Sequence, residues 1–82
     1  MTPAEAETAI HEALGQVAPG ADTDSLPADA DLRDSLELDS LDFLRFVEIL
    51  SERTGERIDE DDYPQLATMA SAVKFIAARS HG

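Results

Sequence analysis

The stretch DSLDFLRFVEILSERTG, residues 39–55, contains the best-defined element of this sequence. Its apolar residues recur every three or four positions, which is the period of an amphipathic α-helix. Gly55 ends the pattern, and glycine is the residue type that most readily takes the left-handed conformation found just after a helix. The sequence therefore predicts a helix from Ser40 to Thr54.

Two stripes run along opposite sides of this predicted helix, which turns by about 100° per residue. One side is apolar and is expected to face the core; it comprises Phe43, Phe46, Val47, Leu50 and Thr54. The other side is mixed and is expected to face solvent; it comprises Leu41, Leu44, Arg45, Glu48 and Glu52. A small apolar spot within an acidic surface is typical of a docking site for a basic partner with an apolar pocket.

The segments before this helix predict another helix and a long connection. Thr2 is the expected N-cap of a helix over residues 3–18, with Pro3 first in the helix and Glu5 completing a capping box. The buried stripe of this helix is predicted to comprise Ala6, Ile10, Ala13, Leu14 and Val17. Residues 19–39 are rich in turn-forming residues. Four leucines anchor them, so we expect an ordered loop with one helical turn.

The segments after Gly55 predict two further helices. The acidic residues 59–62 suit the start of a short helix, because carboxylates favour the positive end of the helix dipole, and Pro64 is expected to end it soon. Thr68 is the expected cap of a last helix, whose apolar face comprises Met69, Ala72, Val73, Ile76 and Ala77. The tail after Arg79 is expected to fray. We therefore predict an all-α, four-helix bundle that forms one domain over residues 1–82.

The charge of the chain restricts its partners. With 18 acidic and 6 basic residues among 82, the net charge is −12. Such a chain repels nucleic acids and anionic lipids, so a basic protein partner is expected. No apolar run approaches the roughly 20 residues of a membrane span, the start of the chain does not have the order of a signal peptide, and cysteine is absent. We expect a soluble, cytoplasmic monomer without a metal site.

Ser40 is the residue whose position suggests chemistry. A serine at a helix start faces free N–H groups and the positive end of the dipole, so a phosphate diester on its oxygen would be favourably placed. A simpler alternative is that Ser40 only caps the helix. Neither His11 in the first helix nor His81 in the tail has a visible path to Ser40 as a general base, so no catalytic residue is predicted.

The segment Leu38-Asp39-Ser40-Leu41-Asp42 resembles the Asp-Ser-Leu signature of acyl carrier proteins, and the resemblance extends over essentially the full chain. It implies that a separate phosphopantetheinyl transferase attaches 4'-phosphopantetheine from coenzyme A to Ser40. Acyl or aminoacyl groups would then travel as thioesters to loading and processing enzymes of fatty acid, polyketide or related biosynthesis, and the protein itself would not be an enzyme. Asp39 and Leu41 would contact the transferase. The shared docking face would comprise Asp42, Leu44, Arg45, Glu48 and Glu52.

Three positions depart from the commonest pattern of that family. Arg45 stands where members of fatty acid synthesis usually have glutamate, and Glu48 stands where they usually have an apolar residue. Phe43 stands where a small residue near the acyl-chain cavity is common, so the cavity could be shortened or reorganised. These departures favour a specialised carrier over the housekeeping one.

A second class of function stays open from the sequence alone. A small acidic protein could occupy a basic, nucleic-acid-binding partner by charge mimicry, without covalent modification. Ser40 would then be dispensable, whereas a carrier without Ser40 would lose all function. Among carriers, the sequence does not decide between acyl and aminoacyl or peptidyl cargo.

Overall fold

The computed structural model describes residues 1–79, and this part of the chain is helical with one isolated backbone bridge, between Asp31 and Thr68. The elements in chain order are α1 (Pro3–Val17), a 3₁₀ turn (Thr23–Ser25), α2 (Leu32–Ser35), α3 (Ser40–Thr54), a 3₁₀ helix (Glu60–Leu66) and α4 (Met69–Arg79). The predicted all-α fold with a short third helix is confirmed. The fraying expected after Arg79 concerns residues outside the described part of the chain, and His81 is one of them.

The core lies between α1, α3 and α4, since α1 packs against both other long helices. Nearly every element contributes a fully buried side chain, the largest being Ile10, Leu14, Leu32, Phe46, Leu50, Leu66 and Ile76. The predicted apolar faces of α1 and α3 are confirmed except at their ends, because Val17 and Thr54 are only partly buried, and Ala9 is buried in α1 although it was not predicted. The predicted face of α4 omitted Phe75, which is buried because α4 packs against α1 on one side and against the 3₁₀ helix on another.

The start of α1 is fixed by the predicted capping box. The Glu5 backbone N–H donates to Thr2 Oγ1 over 3.2 Å, and the Thr2 N–H donates to Glu5 Oε1 over 3.0 Å. The hydrogen bond from the Thr2 backbone lowers the pKa of the Glu5 carboxyl, because it stabilises the charged form. The helix ends at Val17, one residue before the predicted end, because Ala18 leaves the helical conformation.

The connection between α1 and α3 contains two helical turns, not the single turn that the sequence predicted. The second, α2, forms because the Asp31 side chain accepts a hydrogen bond of 3.0 Å from the Asp34 N–H. Backbone bonds from Leu32 to Ala67 (2.7 Å) and from Ala70 to Ala28 (2.9 Å) then tie the connection to the start of α4. The loop is therefore held against the bundle at its middle.

A left-handed residue at Glu37 (φ 53°) turns the chain from α2 into α3. The Leu38 N–H donates to the Arg33 carbonyl and the Glu37 N–H donates to the Asp34 carbonyl, a pair of bonds typical of the Schellman motif. Leu38 is then buried two residues before α3 begins. The turn therefore determines where Ser40 lies relative to the core.

The short third helix ends soon after Pro64, as predicted. It is a 3₁₀ helix that runs through Pro64 and ends two residues later, at Leu66. Proline lacks the N–H that an α-helix needs, but its carbonyl still accepts from Ala67 over 3.4 Å. The complete burial of Leu66 in the core compensates for the missing donor. None of the described helices is both long and apolar enough to cross a membrane.

The left-handed turns at Glu37 and Gly55 predict opposite effects of substitution. Glu37→Gly should raise the free energy of unfolding by about 0.5–1 kcal/mol, because glycine takes a positive φ without the cost that other residues bear. Gly55→Ala, at φ 72°, should lower it by about 1 kcal/mol. No atom lies within 4 Å of a Cβ at Gly55, so the loss would come from the backbone. Urea unfolding measures both; a change of the same sign in the two variants would contradict this account.

Candidate functional site

Ser40 is the first residue of α3, and its side chain is exposed. Its hydroxyl makes no hydrogen bond with any described residue. The burial of Leu38 on one side and Phe43 on the other holds this serine at a fixed place on the surface. The hydroxyl can therefore react without first losing a partner inside the protein.

Asp39, and not Ser40, is the N-cap of α3. Asp39 Oδ1 accepts from the Asp42 N–H over 2.8 Å, and Asp42 Oδ2 accepts from the Asp39 N–H over 3.4 Å. The alternative that Ser40 serves as the cap is therefore wrong. The third residue of α3 is Asp42, and its N–H group is already satisfied by Asp39. The helix therefore does not need the Ser40 oxygen as a cap.

The electrostatics of the helix start are mixed. The N–H groups of Ser40 and Leu41 have no partner among the described residues and belong to the positive end of α3. The carboxylates of Asp39 and Asp42 lie in the same turn and oppose a phosphate. Since two full negative charges face a partial positive charge of about one half, free phosphate should bind here weakly. A phosphate group would stay at this position only if it were covalently bound.

The predicted docking face of α3 is exposed as expected. Leu41 and Leu44 are the large apolar side chains most open to solvent in the described part of the chain, at 76% and 42%. Arg45, Glu48 and Glu52 are also exposed. The other predicted contacts have a structural role as well, because Asp39 and Asp42 form the cap. All seven predicted partner-binding residues thus lie between Asp39 and Glu52, a stretch of 14 residues.

The opposite face of α3 borders a cleft at Phe43, the position where the resemblance implied an acyl-chain cavity. Phe43, one turn after Ser40, contacts the edge of Tyr63 at a centroid distance of 5.5 Å, and the Arg33 guanidinium lies 5.3 Å over its ring. The cleft has a volume of about 300 Å³ and is lined by Asp31, Arg33, Phe43, Tyr63, Pro64 and Ala67. These residues come from three elements and the loops beside them, so no local sequence signal could have joined them.

His11 lies with α1 and the 3₁₀ turn. Its Nδ1 is 2.9 Å from Thr23 Oγ1, and the Glu7 and Asp24 carboxylates lie 3.5 and 3.7 Å from its ring nitrogens. All these partners belong to α1 or to the 3₁₀ turn that follows it. Within residues 1–79, no group of three or more side chains could hold a metal ion.

Removal of the cap should destabilise the protein, whereas removal of the Ser40 hydroxyl should not. Asp39→Ala should lower the free energy of unfolding by about 1 kcal/mol, and Asp39→Asn should retain most of it, because asparagine also caps helices. Ser40→Ala should change it by less than about 0.5 kcal/mol, since the side chain is exposed and without a partner. Thermal and urea unfolding test this. A larger loss in Ser40→Ala than in Asp39→Ala would contradict the assignment of the cap.

Comparison with known proteins agrees with this geometry. A protein-family model described as the phosphopantetheine attachment site matches residues 8–76. The fold is similar to that of a solved acyl carrier protein from Enterococcus faecalis, with a TM-score of 0.75 over 98% of this chain and 100% of that chain, at 23% sequence identity. The chain therefore belongs to the phosphopantetheine attachment family, as a carrier protein that is not itself an enzyme and whose cofactor is covalently attached 4'-phosphopantetheine.

Proposed function

We propose that Ser40 is the residue to which phosphopantetheine is attached. Most other serine hydroxyls are already occupied: Ser25 donates to Asp22, Ser51 to the Glu56 carbonyl, and Ser71 to Thr68. Among the described serines, only Ser35 and Ser40 have hydroxyls without a partner. The free Ser40 hydroxyl at the positive end of a 15-residue helix is the observation that carries the proposal.

Ser35 is the weaker candidate because of its place in a helix. It is the last residue of the four-residue α2, so its surroundings include carbonyl groups at the negative end of a helix. Ser40 instead lies beside two free N–H groups, which can donate to phosphate oxygens. The residues at the start of α3 therefore fit a phosphodiester, provided that it is bound covalently.

The attached group supplies a thiol that carries acyl or aminoacyl groups as thioesters. The chain itself contributes a fixed attachment point and a surface that partner enzymes recognise. Tethering gives the cargo a high effective concentration at each docked active site. A small domain without cysteine can therefore serve several enzymes in turn.

We further propose that the exposed side of α3 is the docking face. Leu41 lies directly after Ser40 and is the large apolar side chain most open to solvent, so it suits contact with the transferase together with Asp39. The transferase and the other partner enzymes would share the rest of this face, which comprises Asp42, Leu44, Arg45, Glu48 and Glu52. Basic patches on these enzymes would complement the acidic residues.

Arg45 supports the proposal of a specialised carrier. It is exposed and forms no ion pair with a described residue, so its charge is available to a partner. A partner with only basic residues opposite Arg45 would be disfavoured, because like charges across an interface cost free energy. We therefore propose a single-domain, cytoplasmic carrier for fatty acid, polyketide or related biosynthesis, with partners that offer an acidic group to Arg45.

Mass spectrometry of the intact protein tests the attachment site. After incubation with coenzyme A, Mg²⁺ and a promiscuous phosphopantetheinyl transferase, the protein should gain the mass of one phosphopantetheine. Ser40→Ala should gain none, while Ser35→Ala should gain as much as the unchanged protein, because Ser40 is the one described serine whose hydroxyl is both free and at a helix start.

The controls separate three outcomes. Circular dichroism shows whether each variant is folded before incubation. A gain in Ser40→Ala would place the attachment elsewhere, and its loss in Ser35→Ala would favour Ser35. If no folded variant gained mass, the carrier function would fail, and the alternative of an acidic interaction protein would become the better account.

A charge reversal on the docking face tests partner recognition. Glu48→Lys should slow modification by the transferase at limiting carrier concentration by roughly two- to tenfold and reduce its dependence on salt. Glu60→Lys changes the net charge equally but lies on the 3₁₀ helix, so it is the matched control and should have a smaller effect. Initial rates at several salt concentrations measure this. Equal effects of both substitutions would mean that net charge, and not the face of α3, controls recognition.

A further inference from the structure

We propose that Arg33 is a cargo-specificity residue, which holds the distal carboxylate of a short acyl group lying in the cleft beside Phe43. The proposal rests on attachment at Ser40. It names the class of cargo that this chain favours: monothioesters of short dicarboxylic acids, over neutral acyl groups and over aminoacyl groups.

The charge of Arg33 is unused within the protein. Arg53, Arg57 and Arg79 pair with Glu12, Asp59 and Asp62. Arg33 pairs with no described carboxylate, although the chain has 18 acidic side chains. Its guanidinium instead lies 5.3 Å over the Phe43 ring. No described residue accepts a hydrogen bond from its N–H groups, so they are free for a carboxylate.

The cleft lies within reach of the attachment point. Phe43 follows Ser40 by three residues on α3, so the two are neighbours on the helix surface. Tyr63, Pro64 and Arg33 line the same cleft as Phe43. Because the phosphopantetheine arm is long and flexible, a group at its end can fold back along α3 and reach Arg33.

The size and lining of the cleft favour a short group. Its volume of about 300 Å³ equals that of about ten waters in the liquid. The ring of Phe46 lies 5.9 Å from that of Phe43 and is completely buried, so the core next to this wall of the cleft is already filled. A long alkyl chain would have to displace these rings to enter the core. The cleft therefore suits an apolar stem of a few carbons with an anionic end at Arg33.

Asp31 lines the same cleft, and its negative charge would repel the carboxylate of the proposed cargo. One of its carboxylate oxygens accepts from the Asp34 N–H over 3.0 Å, but the group keeps its negative charge. Asparagine at this position can form the same cap without the charge. The cleft therefore offers two substitutions with opposite expected effects: Arg33→Gln should weaken retention of a carboxylate, and Asp31→Asn should strengthen it.

The test compares two cargoes of the same shape. Ser40 is loaded by a transferase with glutaryl-phosphopantetheine or with the corresponding carboxamide, from the matching coenzyme A thioesters. The rate at which neutral hydroxylamine cleaves each thioester is measured on the protein and, for intrinsic reactivity, on coenzyme A itself. Ring signals of Phe43 and Tyr63 in NMR spectra report directly whether the cleft is occupied.

We expect glutaryl to be cleaved about two- to fivefold more slowly on the protein than the carboxamide, after correction for intrinsic reactivity. Arg33→Gln should remove this difference, and Asp31→Asn should increase it. Lys74→Gln is the matched control, because Lys74 is also a cation that is exposed and without an ion pair, but it lies on α4 and does not line the cleft. It should leave the difference unchanged.

Three results would overturn the proposal in distinguishable ways. Equal cleavage ratios in the unchanged protein and in Arg33→Gln would show that Arg33 does not select the cargo. If the Phe43 and Tyr63 signals of the unchanged protein were the same with a free phosphopantetheine thiol and with glutaryl attached, the cargo would not occupy the cleft. If the protein gained no mass, attachment at Ser40 would fail, and the proposal would fall with it.

Discussion

The reciprocal hydrogen bonds between Asp39 and Asp42 are the constraint on which the site depends. They give the N-terminal turn of α3 a cap that does not use the serine between them. A serine that capped its own helix would have its oxygen committed to a backbone N–H, and modification would cost the helix that bond. Because Asp39 takes this task, the Ser40 hydroxyl stays free while its position stays fixed. Stability and reactivity at this point are thus assigned to different side chains.

The turn that precedes this cap has a cost. Glu37 takes a left-handed conformation that glycine would take more easily, and such strain persists only where the surrounding structure imposes it. Here the burial of Leu38 and the bonds to the carbonyls of α2 impose it. The connection between Val17 and Ser40 has 22 residues. It nevertheless enters α3 at a fixed angle.

The elements that were predictable from the sequence have local signals. Thr2 and Glu5 mark the start of α1, and Gly55 marks the end of α3. By contrast, the left-handed residue after α2 is Glu37, and a glutamate carries no such signal. The 3₁₀ helix passes Pro64 because Leu66 is buried in a core formed by distant residues. Ser40 could be predicted as the attachment site because its signal lies in its neighbours along the chain. The sequence could not decide whether Ser40 is the cap or the first residue of α3, because Asp39 and Ser40 are adjacent and both residue types cap helices.

The two sides of α3 have separate tasks in this account. Leu41 and Arg45 face outward, where partner enzymes would dock, whereas Phe43 faces Tyr63 and the cleft. A carrier needs enzymes to recognise it and also needs to keep or release its cargo, and these needs conflict if the same side chains serve both. Because residues on opposite sides of one helix do not contact each other, recognition can change without altering the cleft. The departure at Arg45 and the aromatic ring at Phe43 can therefore be understood as independent specialisations of one helix.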